Sequence, residues 1–276
     1  MIELPEAVTV SRQIDEGLRG KRVESALRGN SPHKFAFYSG EPEEYARVLA
    51  GKEVAGARAF GSLILIAAEP GYTVVLGGGG ERILYHQAEA TLPKKHQLLL
   101  RFAGGAHLTV SVSGWGSALL LQTPELENHP FIGPDRPSPL DSGFTYERFR
   151  AGFDELSPDD ARAVKYFVIS KPGVLGAGNG YLQDILFRAR IHPRRRAAGL
   201  EEAERRALYD AARAVVREAT EQGGRDTERD LFDRPGGYRR VLNSRSVGQP
   251  CPRCGTSIEK ISFLGGASYS CPRCQG

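Results

Sequence analysis

Apolar residues at Ala7, Val10, Ile14 and Leu18 recur at helical spacing, which predicts an N-terminal helix over residues 6–19. From about 22 to 122 the pattern becomes that of strands. Phe35 and Phe37 alternate with smaller or polar residues, and SLILIAA (62–68), YTVVL (72–76), QLLLRF (97–102) and HLTVSV (107–112) are short β-prone runs separated by glycine-rich turns. A short helix is expected near 42–50. Many short strands with regular turn signals predict a sandwich or barrel. The run Gly77–Gly80 reads as a turn, because no helix carrying Lys or Ser follows it to make a phosphate cradle.

Prolines at 124, 130, 134, 137 and 139 then mark a linker. Beyond them the pattern is helical. Ser157-Pro158-Asp159-Asp160 reads as a helix start, with Ser as N-cap and Pro at the first turn, and the helix continues over 161–170. A second helix is expected over 180–190, ending before Pro193. A long amphipathic helix over 200–220 stops at Gly223-Gly224. These signals divide the chain into a β-sandwich domain (1–123), a linker (124–144), a helical domain (145–248) and a cysteine-containing tail (249–276).

Composition changes this picture little. The formal charge is +4, a mildly basic balance, with arginines concentrated late in the chain at 188, 190, 194–196, 239, 240 and 245. That is a weak pointer to a polyanion and equally compatible with solvated helix faces. No run of about 18 apolar residues predicts a membrane span. The opening MIELPEAVTV lacks the basic region of a signal peptide, so a cytoplasmic location is the expectation.

The cysteines are more specific. All four fall in the tail, as Cys251-Pro-Arg-Cys254, sixteen intervening residues, and Cys271-Pro-Arg-Cys274. Two such knuckles suit one tetrahedral thiolate-bound zinc, and four thiolates leave no open position for catalysis, so the ion is structural. Between them Ile258, Ile261, Phe263 and Tyr269 alternate around Gly265-Gly266, which predicts a β-hairpin.

Three stretches in this order carry a resemblance: the opening Met1-Ile-Glu3-Leu-Pro5-Glu6; Gly176-Ala-Gly178-Asn179-Gly-Tyr181 running into Asp184-Ile-Leu-Phe187 and His192-Pro193; and the terminal zinc hairpin. Over essentially its whole length the chain resembles the formamidopyrimidine-DNA glycosylase / endonuclease VIII family. The resemblance implies an α+β multidomain fold: an N-terminal helix plus β-sandwich, a helix–two-turn–helix domain and a C-terminal β-hairpin zinc finger. It also implies a monomer that binds damaged duplex DNA, everts a base, cuts its glycosidic bond and often nicks the backbone. The turn at Gly178-Asn179, where backbone N–H groups meet a helix N-terminus, is suited to a DNA phosphate. Asn179 is expected to donate to the same group, with Lys171 before it and Arg188, Arg190 and Arg194 after it adding charge.

Several positions depart from the family pattern. The family places a proline after the initiator Met, and its secondary amine attacks C1′ of the sugar to give a Schiff base. Here that residue is Ile2, which blocks removal of Met1, so the free amine belongs to Met1; were Met1 removed, Ile2 would offer a primary amine. Glu3 is retained where the family has a general acid/base. The loop lysine reads Ser62, and the hairpin arginine that grips phosphates reads Gly266. Of the side chains that fill the gap left by an everted base, only the aromatic remains, as Trp115, which either stacks on a base or closes the sandwich edge. Two functional readings stay open: a DNA-binding protein for damaged or distorted DNA with weak or absent lyase activity, and an active glycosylase working through Glu3 and the N-terminal amine.

Overall fold

The computed structural model describes residues 1–133, 135–170, 173–264 and 266–276, with the side chain of Ala90 also left aside. Its contacts divide it into two units, residues 1–136 with 222–237, and residues 137–221 with 238–276.

The first unit opens with α1 (Leu4–Leu18), started by Pro5 in its first turn. Val10, Ile14 and Leu18 on its inner face are buried. The strands are β1 (Val23–Arg28), β2 (Ala36–Phe37), β3 (Glu53–Phe60), β4 (Leu63–Glu69), β5 (Tyr72–Gly77), β6 (Glu81–His86), β7 (Leu98–Phe102), β8 (His107–Val112) and β9 (Gly116–Gln122), with α2 (Pro42–Leu49) between β2 and β3. They form a four-stranded sheet, β1-β7-β8-β6, and a five-stranded sheet, β2-β9-β5-β4-β3. All pairings are antiparallel except β2 with β9, where Ala36 faces Gly116. One apolar core holds residues of both sheets and α1, among them Ile14, Ile64, Val74, Leu100 and Leu108. Each such side chain contributes roughly 1.5–3 kcal/mol, so the period-two pattern is what fixes this sandwich.

The expected boundaries move in two places. Residues 124–144 are not wholly a linker. Thr123–Asn128 form a 3₁₀ turn with Pro124 at its start, and Ile132 is buried against Leu65 and Val75 of the five-stranded sheet. Residues 222–237, expected in the helical domain, belong to the first unit. Leu231 joins its core, while Gln13 donates to Asp230 (2.8 Å) and accepts from the Leu231 N–H (3.0 Å).

The second unit contains α3 (Tyr146–Asp154), α4 (Val164–Ile169), α5 (Asn179–Ala189), α6 (Glu202–Glu221) and a hairpin of β10 (Glu259–Phe263) and β11 (Gly266–Ser270). Helix α3 was not legible as a separate element. Thr145 caps it by accepting from the Arg148 N–H (3.3 Å), and Phe149 and Phe153 bury its inner face. Helix α4 starts later than the Ser-Pro-Asp-Asp signal indicated. Residues 162–164 are drawn into an extended pairing, with Ala197 N–H donating to Arg162 C=O (2.9 Å) and Val164 N–H to Arg195 C=O (2.8 Å). Asp160 instead accepts a fork from Arg162 (2.9 and 2.6 Å to one oxygen), which holds its carboxyl down at about 2. A depressed carboxyl contributes stability above the ordinary range near 3.8 that is lost as pH falls toward about 2. Asp160→Asn should therefore flatten the acid limb of the melting temperature measured across that window, and an unchanged slope would show the pair to be fully solvent-screened.

Candidate functional site

In the first unit the N-terminus is fixed by four partners. Ile2 is buried, and its N–H donates to the Gly79 C=O (2.8 Å). The Met1 ammonium donates to Glu228 Oε2 (2.8 Å). Arg225, only 4% exposed at its side chain, donates from Nη1 to Glu3 Oε1 (3.1 Å), from Nε to Glu6 Oε1 (3.1 Å), and also to the Met1 C=O. Glu6 in turn accepts from the N–H groups of Glu3 and Arg225, both at 3.0 Å. A buried cation at this depth persists because carboxylates and a carbonyl accept from all three of its nitrogens.

The run Gly77–Gly80 is more than a turn. A Cβ at Gly79 would sit 2.1 Å from the Trp115 carbonyl oxygen, and one at Gly80 would sit 2.0 Å from that of Ser113. Only glycine lets this loop lie on the Ser113–Trp115 turn, where Gly80 N–H donates to Trp115 C=O (2.7 Å) and Ser113 N–H to Gly80 C=O (2.8 Å). Buried Glu81 clamps the arrangement by accepting from the N–H groups of Gly79 (2.9 Å) and Ser117 (2.7 Å), while burial pushes its carboxyl up. A Gln amide can satisfy only one of these donors. Glu81→Gln should therefore cost about 1–3 kcal/mol in urea unfolding and loosen the loop that holds Ile2; a cost below ~0.5 kcal/mol would remove Glu81 from this role.

These segments wall a cavity of about 480 Å³, formed by Met1 and Ile2, Gly80–Arg82, Ser113–Trp115 and Thr227–Arg229, with Glu6 also lining it. Trp115, 46% exposed, is among the residues that line it. Phe35 and Phe37, also exposed, lie on the neighbouring strand segment, where Gly116 N–H donates to Phe35 C=O (2.9 Å). Of the three predicted N-terminal residues, Met1 and Ile2 line the cavity. Glu3 is buried on Arg225 and is not among the lining side chains. Arg225 and Glu228 were missed by sequence reasoning. Their sole signal is a charged run directly after the helix-ending Gly223-Gly224, and partners more than 200 residues away in the chain leave no local pattern.

In the second unit the four cysteine sulfurs lie within 4.8 Å of one another. Cys251–Cys274 is 3.9 Å and Cys254–Cys271 is 3.4 Å. A tetrahedral zinc with bonds near 2.3 Å places sulfurs about 3.8 Å apart, so the donor set fits one structural zinc. The Arg253 and Cys274 N–H groups each point at a thiolate at 3.4 Å, as knuckle turns require. The finger is seated on α5. Arg253 donates to the Phe187 C=O (2.9 Å), and Gln275 donates to the Ile191 C=O (3.0 Å) while accepting from the Cys271 N–H (2.9 Å).

Asn179 is the first residue of α5, with Gly178 at the cap position. Its Nδ2 donates to the Ala267 C=O (3.1 Å) and its Oδ1 accepts from Gln183 (3.0 Å), so the amide ties the helix start to the hairpin. Lys165, also missed from sequence, is buried, and its ammonium donates to the Phe263 C=O (2.6 Å). Burial pushes that ammonium down. A Cβ built on Gly266 would lie 3.8 Å from both the Lys165 Nζ and the Asn179 Nδ2. Two nitrogen donors thus stand at ordinary contact distance from a Cβ at Gly266, each already donating to a hairpin carbonyl. Arg188 is committed to a two-pronged pair with Glu218 (2.7 Å for one arm), which neutralises the charge expected there. Lys171 lies outside the described residues.

Residues 1–112 match the model of the formamidopyrimidine-DNA glycosylase N-terminal domain, residues 133–230 that of its H2TH domain, and residues 248–276 the zinc finger found in FPG and IleRS. The formamidopyrimidine-DNA glycosylases of Roseiflexus sp. and Alkalilimnicola ehrlichii are 31% and 32% identical to this chain, with all of each chain covered. Among solved structures, a complex of the Lactococcus lactis Fpg with DNA containing an abasic site has a TM-score of 0.87 at 23% identity, covering 99% of each chain. A complex of the same bacterium's Fpg with Fapy-dG-containing DNA has a TM-score of 0.86 at the same identity and coverage. Among the described residues no helix is long and apolar enough to cross a membrane. With all three segments matched in order and relatives above 30% identical along their full length, the chain belongs to the formamidopyrimidine-DNA glycosylase family.

Proposed function

We propose that this protein binds damaged DNA in base-excision repair, accommodating an everted nucleotide at the cavity of its first unit, with weak or absent nicking at abasic sites. One observation carries the reading. The α-amine of Met1 and the half-exposed ring of Trp115 line one cavity, while Glu3, the family's acid/base position, is withdrawn onto Arg225. A base leaving the stack gains a ring to stack on, and the sugar comes near an amine but not near Glu3. The relatives' names and the DNA lesions named for the Lactococcus lactis complexes support the same substrate class. A second reading, excision of oxidised bases through the amine, is favoured by the position of Met1 itself.

The test is binding and cleavage on duplexes carrying oxidised purines, oxidised pyrimidines, uracil or an abasic site. Preferential, steeply salt-dependent binding to a damaged duplex without strand nicking supports the first reading. Base loss from an oxidised lesion supports the second. Equal, weak binding to all duplexes would overturn both. Phosphate contact by the second unit has its own check. Gly266 is free of a left-handed backbone, and a Cβ there would meet its nearest neighbours at 3.8 Å, ordinary contact that needs no shift. Gly266→Arg therefore adds a guanidinium beside Lys165 and Asn179. It is expected to tighten duplex binding by about tenfold, the worth of one charged hydrogen bond. Unchanged affinity would place that surface away from DNA.

A further inference from the structure

Three carboxylates and two cations meet at the N-terminus: Glu3, Glu6 and Glu228 against Arg225 and the Met1 ammonium. Their surroundings differ sharply. Glu3 and Glu6 have side chains 3% exposed and are engaged by Arg225 at 3.1 Å. Glu228 is 25% exposed, lines the cavity, and has one oxygen 2.8 Å from the Met1 nitrogen, with its other oxygen 3.7 Å from Arg225 Nη2. The assembly carries one more carboxylate than it has cations. The carboxylate that touches both the amine and the cavity is Glu228. Arg225, by gripping Glu3, Glu6 and the Met1 carbonyl, ties the N-terminal segment to the stretch that carries Glu228.

We infer that Glu228, and not Glu3, is the catalytic carboxylate of this site, serving the Met1 amine as proton acceptor when the amine captures an abasic sugar as a Schiff base. The inference rests on the proposed binding of damaged DNA. The step balances without any further reactant. The Met1 ammonium gives a proton to the Glu228 carboxylate, and the freed nitrogen lone pair bonds to C1′ of the ring-opened aldehyde. The carbonyl oxygen takes up the proton from Glu228, giving the carbinolamine with its nitrogen still protonated. That nitrogen then passes a proton through Glu228 to the hydroxyl. Water leaves, and the nitrogen lone pair closes a protonated imine, so that one ammonium and one aldehyde become one iminium and one water. The other charged groups lining the cavity are Glu6, Glu81, Arg82 and Arg229. Glu6 and Glu81 are buried, with their oxygens taken up by Arg225 and by the Gly79 and Ser117 N–H groups respectively, which leaves Glu228 as the carboxylate on the amine.

The experiment uses the full chain, with Met1 confirmed by intact mass, on a duplex bearing a single abasic site. Binding is read by gel shift and the Schiff base by borohydride trapping, with the adduct located by peptide mass spectrometry. The wild type is expected to trap through Met1. Glu228→Gln is expected to lower the trapping rate by about 100-fold, the lower range for a general base, while binding changes less than about threefold. Added formate is expected to restore part of the rate in Glu228→Ala, a rescue that a purely structural residue does not show. Trapping by Glu228→Gln at the wild-type rate, adduct on a lysine, loss of binding in parallel with trapping, or no rescue by formate overturns the inference. Binding of the abasic duplex by the wild type without trapping overturns it and leaves the functional proposal standing. Absence of binding overturns both.

Discussion

Cys254→Ser is expected to release zinc, unfold the finger and cut affinity for damaged duplex by at least about tenfold, while the sandwich keeps its stability. The finger has little to hold it otherwise. Its core is a small cluster of Phe187, Leu242, Ile258 and the cysteines, beneath a hairpin of two five-residue strands. Such a core supplies few kcal/mol, whereas structural zinc in finger peptides contributes roughly 10–16 kcal/mol at neutral pH. Without the ion, the hairpin carbonyls that receive Lys165 and Asn179 lose their positions. The chain has a single tryptophan, Trp115, in the first unit, so its emission follows the sandwich separately. The outcome is checked by zinc content, fluorescence melting and binding anisotropy on one preparation. A zinc-free variant that binds as tightly as the parent would exclude the finger from the DNA surface.

The second large effect belongs to Arg225. Arg225→Ala is expected to destabilise the first unit by roughly 3–5 kcal/mol, because it leaves Glu3 and Glu6 as buried carboxylates without their cation. Urea unfolding followed through Trp115 measures this. Adding Glu3→Gln and Glu6→Gln to Arg225→Met is expected to recover a substantial part of the loss, since a neutral cluster carries no unpaired charge. A single-variant loss below about 1 kcal/mol would mean that water already reaches these groups and that Arg225 does not hold the N-terminus in place.

Some features were legible because their signal is local. The apolar periods placed α1, the central strands, α5 and α6 within a few residues. The paired CxxC knuckles identified the zinc ligands from spacing alone, since a thiolate tetrahedron needs two tight turns and little else. The glycine at the start of α5 marked the Asn179 turn. Other features failed for a physical reason. The helix start at Ser157 was overridden by tertiary pairing of residues 162–164 with residues 195–197. Gly77–Gly80 looked like an ordinary turn, because a need for backbone approach to Trp115 is invisible until the two segments meet.

Periodicity and spacing read over short windows determined the strand-rich first part, the helical second part and the metal, while the family and its named architecture came from the resemblance carried by three motif stretches. It also marked Ile2, Ser62 and Gly266 as departures. Only the tertiary structure decided what those departures leave in place. Arg225 and Glu228 reach the N-terminus across more than 200 residues, and Lys165 reaches the hairpin across about 100. Burial and pairing of charge depend on which distant groups the fold brings together. No short stretch of sequence distinguishes a carboxylate locked on a buried arginine, Glu3, from one standing against an amine at a cavity wall, Glu228.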